Sequence, residues 1–539
     1  MNKKKSYAIL LFLILTQVIV SLARVPSNGS VNPPNILFVF SDDHAWQSIG
    51  AYGGRLKEVA HTPHIDKLAS EGMLFRKCFV ANALCGPSRA AVLTGKYGHR
   101  NGVTWNRNTN FDGSQQTFPK ILRKNGYQTA IIGKWHLASV PTGFDYFDVM
   151  KGQGRYYNPF LQRGNAEGLQ DTRTVVGYNS DIVGDLTIEW LKNGRDKSKP
   201  FMLMSQFKAT HHGFCPGPEE YDLYDDIHIP EPDNLFDDFS YRGTAIREQT
   251  LTLYKNLSHS ILVGDPGELG KLNPDQRKAW DVYRSKFSKP FQAMNLNWND
   301  QNRELSRFKY QALLKNFLAS GAGIDKNVGR IRAFLQENDL ADNTIVIYMA
   351  DHGFFLGEHG FFDKRFMYEE SLRTAFIVHW PGQVEAGVVN NQDIVSNIDI
   401  ASTFLEMAGI EIPQEIQGRS MVPVLKGKTP DNWRKTFLYT YHELANHNVQ
   451  PHFGVTDGRN KLIYYPKYNE WEFFDLKKDP QEMISQYFIP ENKTVITKLK
   501  KELVRLRNQY YCPPIITLRN MNKKANWDYE KRLMPLGVK

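Results

Sequence analysis

Residues 35–44 read NILFVFSDDH, an apolar run of strand length that ends abruptly in two aspartates and a histidine. Continuous rather than alternating apolar character is what a strand covered on both faces requires, and such strands belong to parallel sheets flanked by helices. The same form returns twice. TIVIYMADHG (344–353) ends in Asp351 and His352, and YQTAIIGKWH (127–136) ends in Lys134 and His136. Ligands of open α/β sheets bind beyond the carboxyl ends of the strands, and all three runs deliver reactive side chains there.

Helical patterns fit between these runs. TPHIDKLASEG (62–72) offers Thr62 as a cap with Pro63 at the first helical position, and GIDKNVGRIRAFLQENDL (323–340) places Ile324, Val328, Ile331 and Leu335 on one stripe. Helix and strand in alternation predict an α/β class with a mostly parallel sheet sandwiched by helices. Residues 213–310 are polar and aromatic with weak periodicity, which predicts a long insertion of loops and helices near the site. From 433 the pattern changes to short strands (KTFLYTYH, HFGVTD, KLIYYP, EWEFFDL) and a basic helix near Thr494–Tyr510, predicting a smaller C-terminal α+β subdomain over 433–539 after a catalytic domain over 32–432.

The 539 residues carry 41% hydrophobic and 23% charged side chains, enough for a sizeable core. The leader MNKKKSYAILLFLILTQVIVSLAR has three lysines, an apolar run and a small-residue site at Ser21-Leu22-Ala23, which reads as an export signal over 1–23. An uncleaved anchor is the other reading, but Thr16 and Gln17 interrupt the run, which is short for a hydrocarbon core of about 30 Å. No other segment could span a membrane, so no stable insertion is expected after cleavage. The formal net charge is +10, with Lys3, Lys4 and Lys5 inside the leader. No dense basic run with interleaved aromatics occurs, which argues against nucleic acid. The four cysteines, Cys78, Cys85, Cys215 and Cys512, do not make a disulfide-dense scaffold.

Asp42, Asp43, Asp351 and His352 would surround one point if their strands are neighbours, and oxygen-rich sites of this kind suit Ca²⁺ or Mg²⁺. Acids that end strands merely because loops are wet are the plainer alternative. CGPSR (85–89) precedes AAVLTGKYGHR, which reads as a helix, so Cys85 sits at a helix N-terminus where negative charge is favoured. That permits an activated thiolate, but a thiolate alone leaves the acids unexplained.

CGPSR with the TG of AAVLTG resembles the Cys-x-Pro-Ser-Arg signature of the formylglycine-dependent sulfatases (type I), in which the cysteine is oxidised after synthesis to 3-oxoalanine (formylglycine). SDDH, TPHIDKLASEG, GKWH, the ATH of FKATHHGF, DHGFFLGEHG and FDKR occur in the family's order. The resemblance spans about Asn35 to Tyr510 and implies an alkaline-phosphatase-like fold. It also implies a hydrated aldehyde at position 85, one hydroxyl of which attacks sulfur while the other later expels sulfate. It further implies Asp42, Asp43, Asp351, His352 and the converted Cys85 as ligands of one Ca²⁺, His352 standing where the family often has Asn or Gln. Arg89 is then the arginine that holds the gem-diol, Lys134 and Lys364 grip sulfate, His136 is a base beside the gem-diol, and His211 protonates the departing sugar oxygen.

Several readings stay open beside this. A phosphate or phosphonate ester hydrolase of the same fold is one, although lysines stand here where such phosphatases carry a second set of metal ligands. An inactive glycan-binding homologue is another. SQQTFPKILRKNGYQTAIIGKWHL, PTGFDYF and FFDKRFMYEESLRTAFIVHWPG look most like bacterial N-acetylglucosamine-6-sulfatases acting on glycosaminoglycans or mucin glycans; iduronate 2-O-sulfatases and other polysaccharide sulfatases share parts of them. The expected partners are a sulfated saccharide and a formylglycine-generating enzyme, and the expected location is exported, periplasmic in a Gram-negative cell. His447 and His452, in HELANHNVQPHFG, are the expected sugar contacts.

Overall fold

The computed structural model describes residues 33–513 except 107–109 and 444–447. The leader over 1–23 and His447 therefore lie outside the described residues. Asn35–Ser41 does form a strand, buried along its whole length, in the middle of a ten-stranded sheet among the described residues. In chain order the strands are β1 (Asn35–Ser41), β2 (Met73–Phe75), β3 (Gln128–Lys134), β4 (Tyr146–Met150), β5 (Phe160–Asn165), β6 (Gly168–Thr174), β7 (Phe201–Gln206), β8 (Thr344–Ala350), β9 (Phe376–His379) and β10 (Val388–Asn390). They lie side by side as β10-β2-β9-β8-β1-β7-β3-β4-β5-β6. The central block β8-β1-β7-β3-β4 is parallel throughout, and antiparallel pairs flank it.

The helices are α1 (Pro63–Ser70), α2 (Cys85–Thr94), α3 (Phe118–Lys124), α4 (Asn179–Glu189), α5 (Pro274–Met294), α6 (Arg303–Glu337), α7 (Ile400–Met407) and α8 (Lys493–Gln509), with shorter turns between them. Side chains of a strand alternate between faces, and β1 uses both. Ile36, Phe38 and Phe40 join a core with Val92 of α2, Phe118 of α3 and Phe404 of α7. Leu37 and Val39 join a second core with Ile65 of α1, Val183 of α4, and Ile324, Val328 and Ile331 of α6. This two-sided cover is the physical reason for the uninterrupted apolar run. It also makes the fold the α/β sandwich expected from it.

One local expectation changes. Thr62 is the N-cap of α1, but its side chain does not cap the helix; its Oγ1 accepts from Gly50 N. The open amides of His64 and Ile65 donate instead to the Asp325 carboxylate on α6, at 3.1 and 2.8 Å. A carboxylate from across the core does the work of the cap.

The C-terminal strands are β11 (Phe437–Tyr441), β12 (His452–Thr456), β13 (Asn460–Tyr465) and β14 (Glu470–Asp475), an antiparallel sheet in sequence order. Helix α8 packs Ile496, Leu499, Leu503 and Leu506 on it. Phe437, Tyr439, Leu462 and Phe473 of this sheet share one apolar core with Phe354, Phe366 and Tyr368 and with Leu235 and Leu253 of the insertion. The described residues from Pro34 onward form one compact unit, so the change near 433 is one of topology rather than of core. Among the described residues no helix is long and apolar enough to cross a membrane.

Candidate active site

The register of the parallel block decides the site. Ser41 pairs with Ala350, so Asp42 and Asp43 leave β1 beside Asp351 and His352 leaving β8. On the other side Phe40 pairs with Gln206 of β7, and Gln206 with Gly133 of β3, which brings Lys134 and the segment after Gln206 to the same edge. The loops are tied across: Asp42 N donates to Ala209 O, and Asp43 N to Asp351 Oδ1 at 3.1 Å. Asp43 and His136 both hold positive φ, 61° and 55°, in the left-handed region where non-glycine residues are uncommon and cluster at functional sites.

Cys85 is the first residue of α2 and is fully buried. Residues four apart share a helix face, so Arg89 lies one turn behind it on the same side. Pro87 is tolerated in the first turn because its missing N–H has no intrahelical partner there. Ser88 Oγ donates to Asp351 O and accepts from Asn397 Nδ2 at 2.9 Å, locking the helix to the β8 loop. Cys85, Pro87, Ser88 and Arg89 of the CGPSR pattern thus each have a geometric reason. Burial pushes the Cys85 thiol up, with Asp43 and Asp351 adding to the shift against Lys364 and Arg89. An activated thiolate, which the helix N-terminus alone would allow, is therefore not what this site stabilises.

Asp42, Asp43, Cys85 and His352 each present a ligand atom within 4.8 Å of the others. His352 Nδ1 lies 2.9 Å from Gly353 O, which places the proton on Nδ1 and leaves the Nε2 lone pair facing inward. Nε2 is 3.1 Å from Asp43 Oδ1, 3.4 Å from Asp351 Oδ1 and 3.4 Å from Cys85 Sγ. Two acceptors at 3.1 Å call for something positive between them. Asp42 Oδ1 is buried without a hydrogen bond, its nearest ion-pair partner being Arg89 Nη2 at 3.8 Å. The carboxylate oxygens of Asp42 and Asp43, with Asp351 Oδ1 beside them and one imidazole, fit a hard divalent cation, and the Cys85 thiol is the one soft donor of the set.

Permanent cations surround these acids. Arg89 donates from Nε and Nη2 to Asp351 Oδ2 at 3.2 and 3.1 Å and from Nη1 to Lys134 O at 3.0 Å and to Gln206. Lys364 Nζ lies 2.6 Å from both oxygens of Asp43. Burial opposes that charge, but Asp43, Cys85 and Asp363 together outweigh it and hold the ammonium above its ordinary pKa. Lys134 contacts Asp42 directly and Gln153 Oε1 at 2.8 Å. Burial, then the nearby Lys208, push Lys134 toward neutrality; the direct ion pair with Asp42 opposes this and, being in contact, decides for the charged form. Three carboxylates thus face three cations, and a divalent ion added to that balance makes the site attractive to an anion.

Two histidines stand around this centre. His136 is buried, with Nδ1 unpartnered, and burial followed by the charges of Lys134 and Arg89 lowers its pKa far below the usual value. His211 is half-buried on the loop after β7; burial and then Lys134, Lys208 and Lys364 keep it neutral. Its Nδ1 makes only a 3.3 Å contact with His212 O, while Tyr156 holds its carbonyl. The neighbouring His212 is exposed and packs on Phe214.

The structure does not place His452 at a sugar-binding surface. It is fully buried in the C-terminal sheet, among the rings of Phe366, Tyr439, Tyr441 and Tyr465, with Nδ1 against Gln450 O at 2.8 Å. As the first residue of β12 it points into the core, a consequence of strand register that the sequence pattern left undecided. Several site residues escaped sequence reasoning. Gln153 comes from a loop, Gln206 ends β7, and Lys208 lies buried over the Tyr156 ring at 4.8 Å, with its Nζ 3.3 Å from Gln153 O. The signal for two of them was present: FMLMSQFKATHH is a fourth apolar run that ends in polar groups.

Residues 34–410 match the family model described as Sulfatase, and residues 357–509 match that of the N-sulphoglucosamine sulphohydrolase C-terminal region. An N-acetylglucosamine-6-O-sulfatase of Bacteroides thetaiotaomicron is 40% identical over 515 residues, covering 92% of this chain and 89% of its own. An arylsulfatase of Clostridium perfringens is 25% identical, over 88% of this chain and 94% of that one. Among solved structures, one of a protein in complex with its substrate D-glucosamine-2-N,6-O-disulfate superposes with a TM-score of 0.82 at 39% identity, covering 89% of this chain and 98% of that one.

Proposed function

The chain belongs to the sulfatase family, and from that premise we propose that it hydrolyses sulfate esters of sugars, with the 6-O-sulfate of N-acetylglucosamine as its substrate. The observation that carries the reading is the burial of Cys85 at the start of α2 against Asp43 and His352, with Arg89, Lys134 and Lys364 around it. The sugar is supported by the N-acetylglucosamine-6-O-sulfatase at 40% identity and by the glucosamine disulfate bound to the structure at 39%.

In this reading Asp42, Asp43, Asp351 and His352 would hold one Ca²⁺. The bound ion together with a Cys85 converted to formylglycine supplies a hydroxyl nucleophile for sulfur and a route for releasing sulfate. The rest is work for this chain's own groups. Arg89, fixed by Asp351 and Gln206, keeps a positive charge one helical turn behind position 85. Lys134 and Lys364 exchange part of their contact with Asp42 and Asp43 for sulfate oxygens, stabilising charge where the sulfuryl group moves. His136 is the base beside position 85. His211 is the acid for the departing sugar oxygen, and its protonation is coupled to substrate. Burial first, and then the lysine charges, keep the free imidazole neutral; a bound sulfate offsets the lysine part, which favours gain of the proton as the substrate enters.

Conversion of Cys85 requires a formylglycine-generating enzyme as a partner, and the leader over 1–23 supports export to the compartment where sulfated polysaccharides are met. Protein coexpressed with such an enzyme is expected to release sulfate from 6-O-sulfated N-acetylglucosamine, and Cys85→Ala is expected not to. Turnover confined to a 2-O-sulfated uronate would overturn the sugar, and turnover of aryl phosphonates alone would overturn the sulfur ester.

A further inference from the structure

A second cationic surface lies on the C-terminal part of the molecule and shares no residue with the cluster around Cys85. A cavity of about 910 Å³ opens between α8, the segment 432–436 that leads into β11, and the turn between β12 and β13. Its volume falls in the range of ligand sites.

The fate of each charge there is informative. Arg434 is spent on Asp399 at 2.7 Å, Arg459 on Asp475 at 2.8 Å, and Arg505 on Glu502 at 2.7 Å. The two acids of the lining are also engaged. Glu502 takes Arg505 and Thr436, and Asp457 takes the amides of Arg459 and Asn460. That leaves the exposed Lys435, Lys498 and Lys501, none of which forms a hydrogen bond or ion pair among the described residues, and Arg419, whose guanidinium meets only Asn432 O at 2.6 Å. Lys498 and Lys501 are three apart on α8 and so share a face, with Lys435 on the facing wall. Asn432 and Gln509 add neutral amides suited to hydroxyl groups.

We propose that this groove is a second binding site for a sulfated glycan chain, holding the polysaccharide by its sulfates apart from the catalytic centre. Cations without a direct ion pair at three sides of a concave, amide-bearing groove match a chain that alternates anionic groups with hydroxyls. A flat bilayer cannot reach into such a groove. The chain's own residues 514–539, which follow Pro513 near the groove, carry six Lys or Arg against two Asp or Glu and do not complement it. The identity of the anion rests on the sugar-sulfatase reading above; the presence of an anion site does not.

The test uses full-length Lys435→Gln/Lys498→Gln/Lys501→Gln protein, with heparin and its fully desulfated form as probes. Removing three exposed cations together should weaken heparin binding by about tenfold. The expected result is that loss, a shallower salt dependence, no wild-type binding of desulfated heparin, and unchanged kcat/KM on a sulfated monosaccharide. Heparin affinity equal to wild type would overturn the proposal. So would an equal loss of binding to single-stranded DNA, which would mark a general polyanion surface, or a parallel loss of monosaccharide turnover. Absence of turnover with the binding difference intact would instead count against the sulfatase reading alone.

Discussion

Replacing His211 with alanine separates chemistry from architecture more cleanly than any other change at the site. The ring is half-buried and its one polar contact is a 3.3 Å approach to His212 O, so its removal should cost less than about 1 kcal/mol of stability. As general acid it should be worth about 10²- to 10⁴-fold in rate, or about 2.7 to 5.5 kcal/mol of barrier. That loss depends on the leaving group. A sugar alkoxide is strongly basic and needs the proton, whereas an aryl oxide departs without it. His211→Ala should therefore lose about 10²-fold or more in kcat on 6-O-sulfated N-acetylglucosamine and little on an aryl sulfate, while His212→Ala, exposed and adjacent, should behave as wild type on both. The pH profiles should follow. In the free enzyme His211 titrates below the usual histidine range, so kcat/KM falls as pH rises through that lowered value. The bound sulfate offsets the lysines, so the corresponding limb in kcat lies at higher pH, and both limbs vanish in His211→Ala. Equal losses on the sugar and the aryl substrate would refute the assignment, as would a His212→Ala defect larger than that of His211→Ala.

Three further outcomes follow from other parts of the molecule. Chelation of divalent cations should abolish turnover and lower Tm by a few degrees, both restored by Ca²⁺, because an ion at a hundredfold its Kd contributes about 2.7 kcal/mol; full activity and unchanged Tm after chelation would exclude the ion site. His452→Ala should lower the unfolding free energy by about 2 to 4 kcal/mol in denaturant titrations through the cavity left among four aromatic rings, with KM for the sugar unchanged; a raised KM without loss of stability would restore it as a sugar contact. Asp325→Ala should cost about 1 to 2 kcal/mol by freeing the amides of His64 and Ile65, and a neutral result would show that water caps α1 equally well.

The sequence made the parallel block legible because burial on two faces leaves no room for polar residues, and Asn35–Ser41, Gln128–Lys134 and Thr344–Ala350 all obey that rule. The C-terminal strands and α8 were legible for a related reason: their turn residues and the 496, 499, 503, 506 stripe mark local structure. The outer strands β5 and β6, of which β6 is the edge, were not, since exposed residues such as Phe160, Leu169 and Thr174 carry no clear alternation. At the site, residues that ended strands were found, because strand ends converge by topology. Gln153 was invisible because it arrives on a loop, and the trans-acting cap Asp325 because only tertiary packing brings it to α1. His452 shows the limit from the other side. Its segment opens the C-terminal sheet, which suggested a sugar contact, but as the first residue of β12 its side chain is turned inward.

The most direct test is the mass of the tryptic peptide Cys78–Arg89 from catalytically active native protein, read together with sulfate release from 6-O-sulfated N-acetylglucosamine by the same sample. The account predicts an aldehyde or its hydrate at position 85, an unmodified thiol at Cys78, and turnover that rises in proportion to the converted fraction. Full turnover from protein in which both cysteines are unmodified thiols would contradict it.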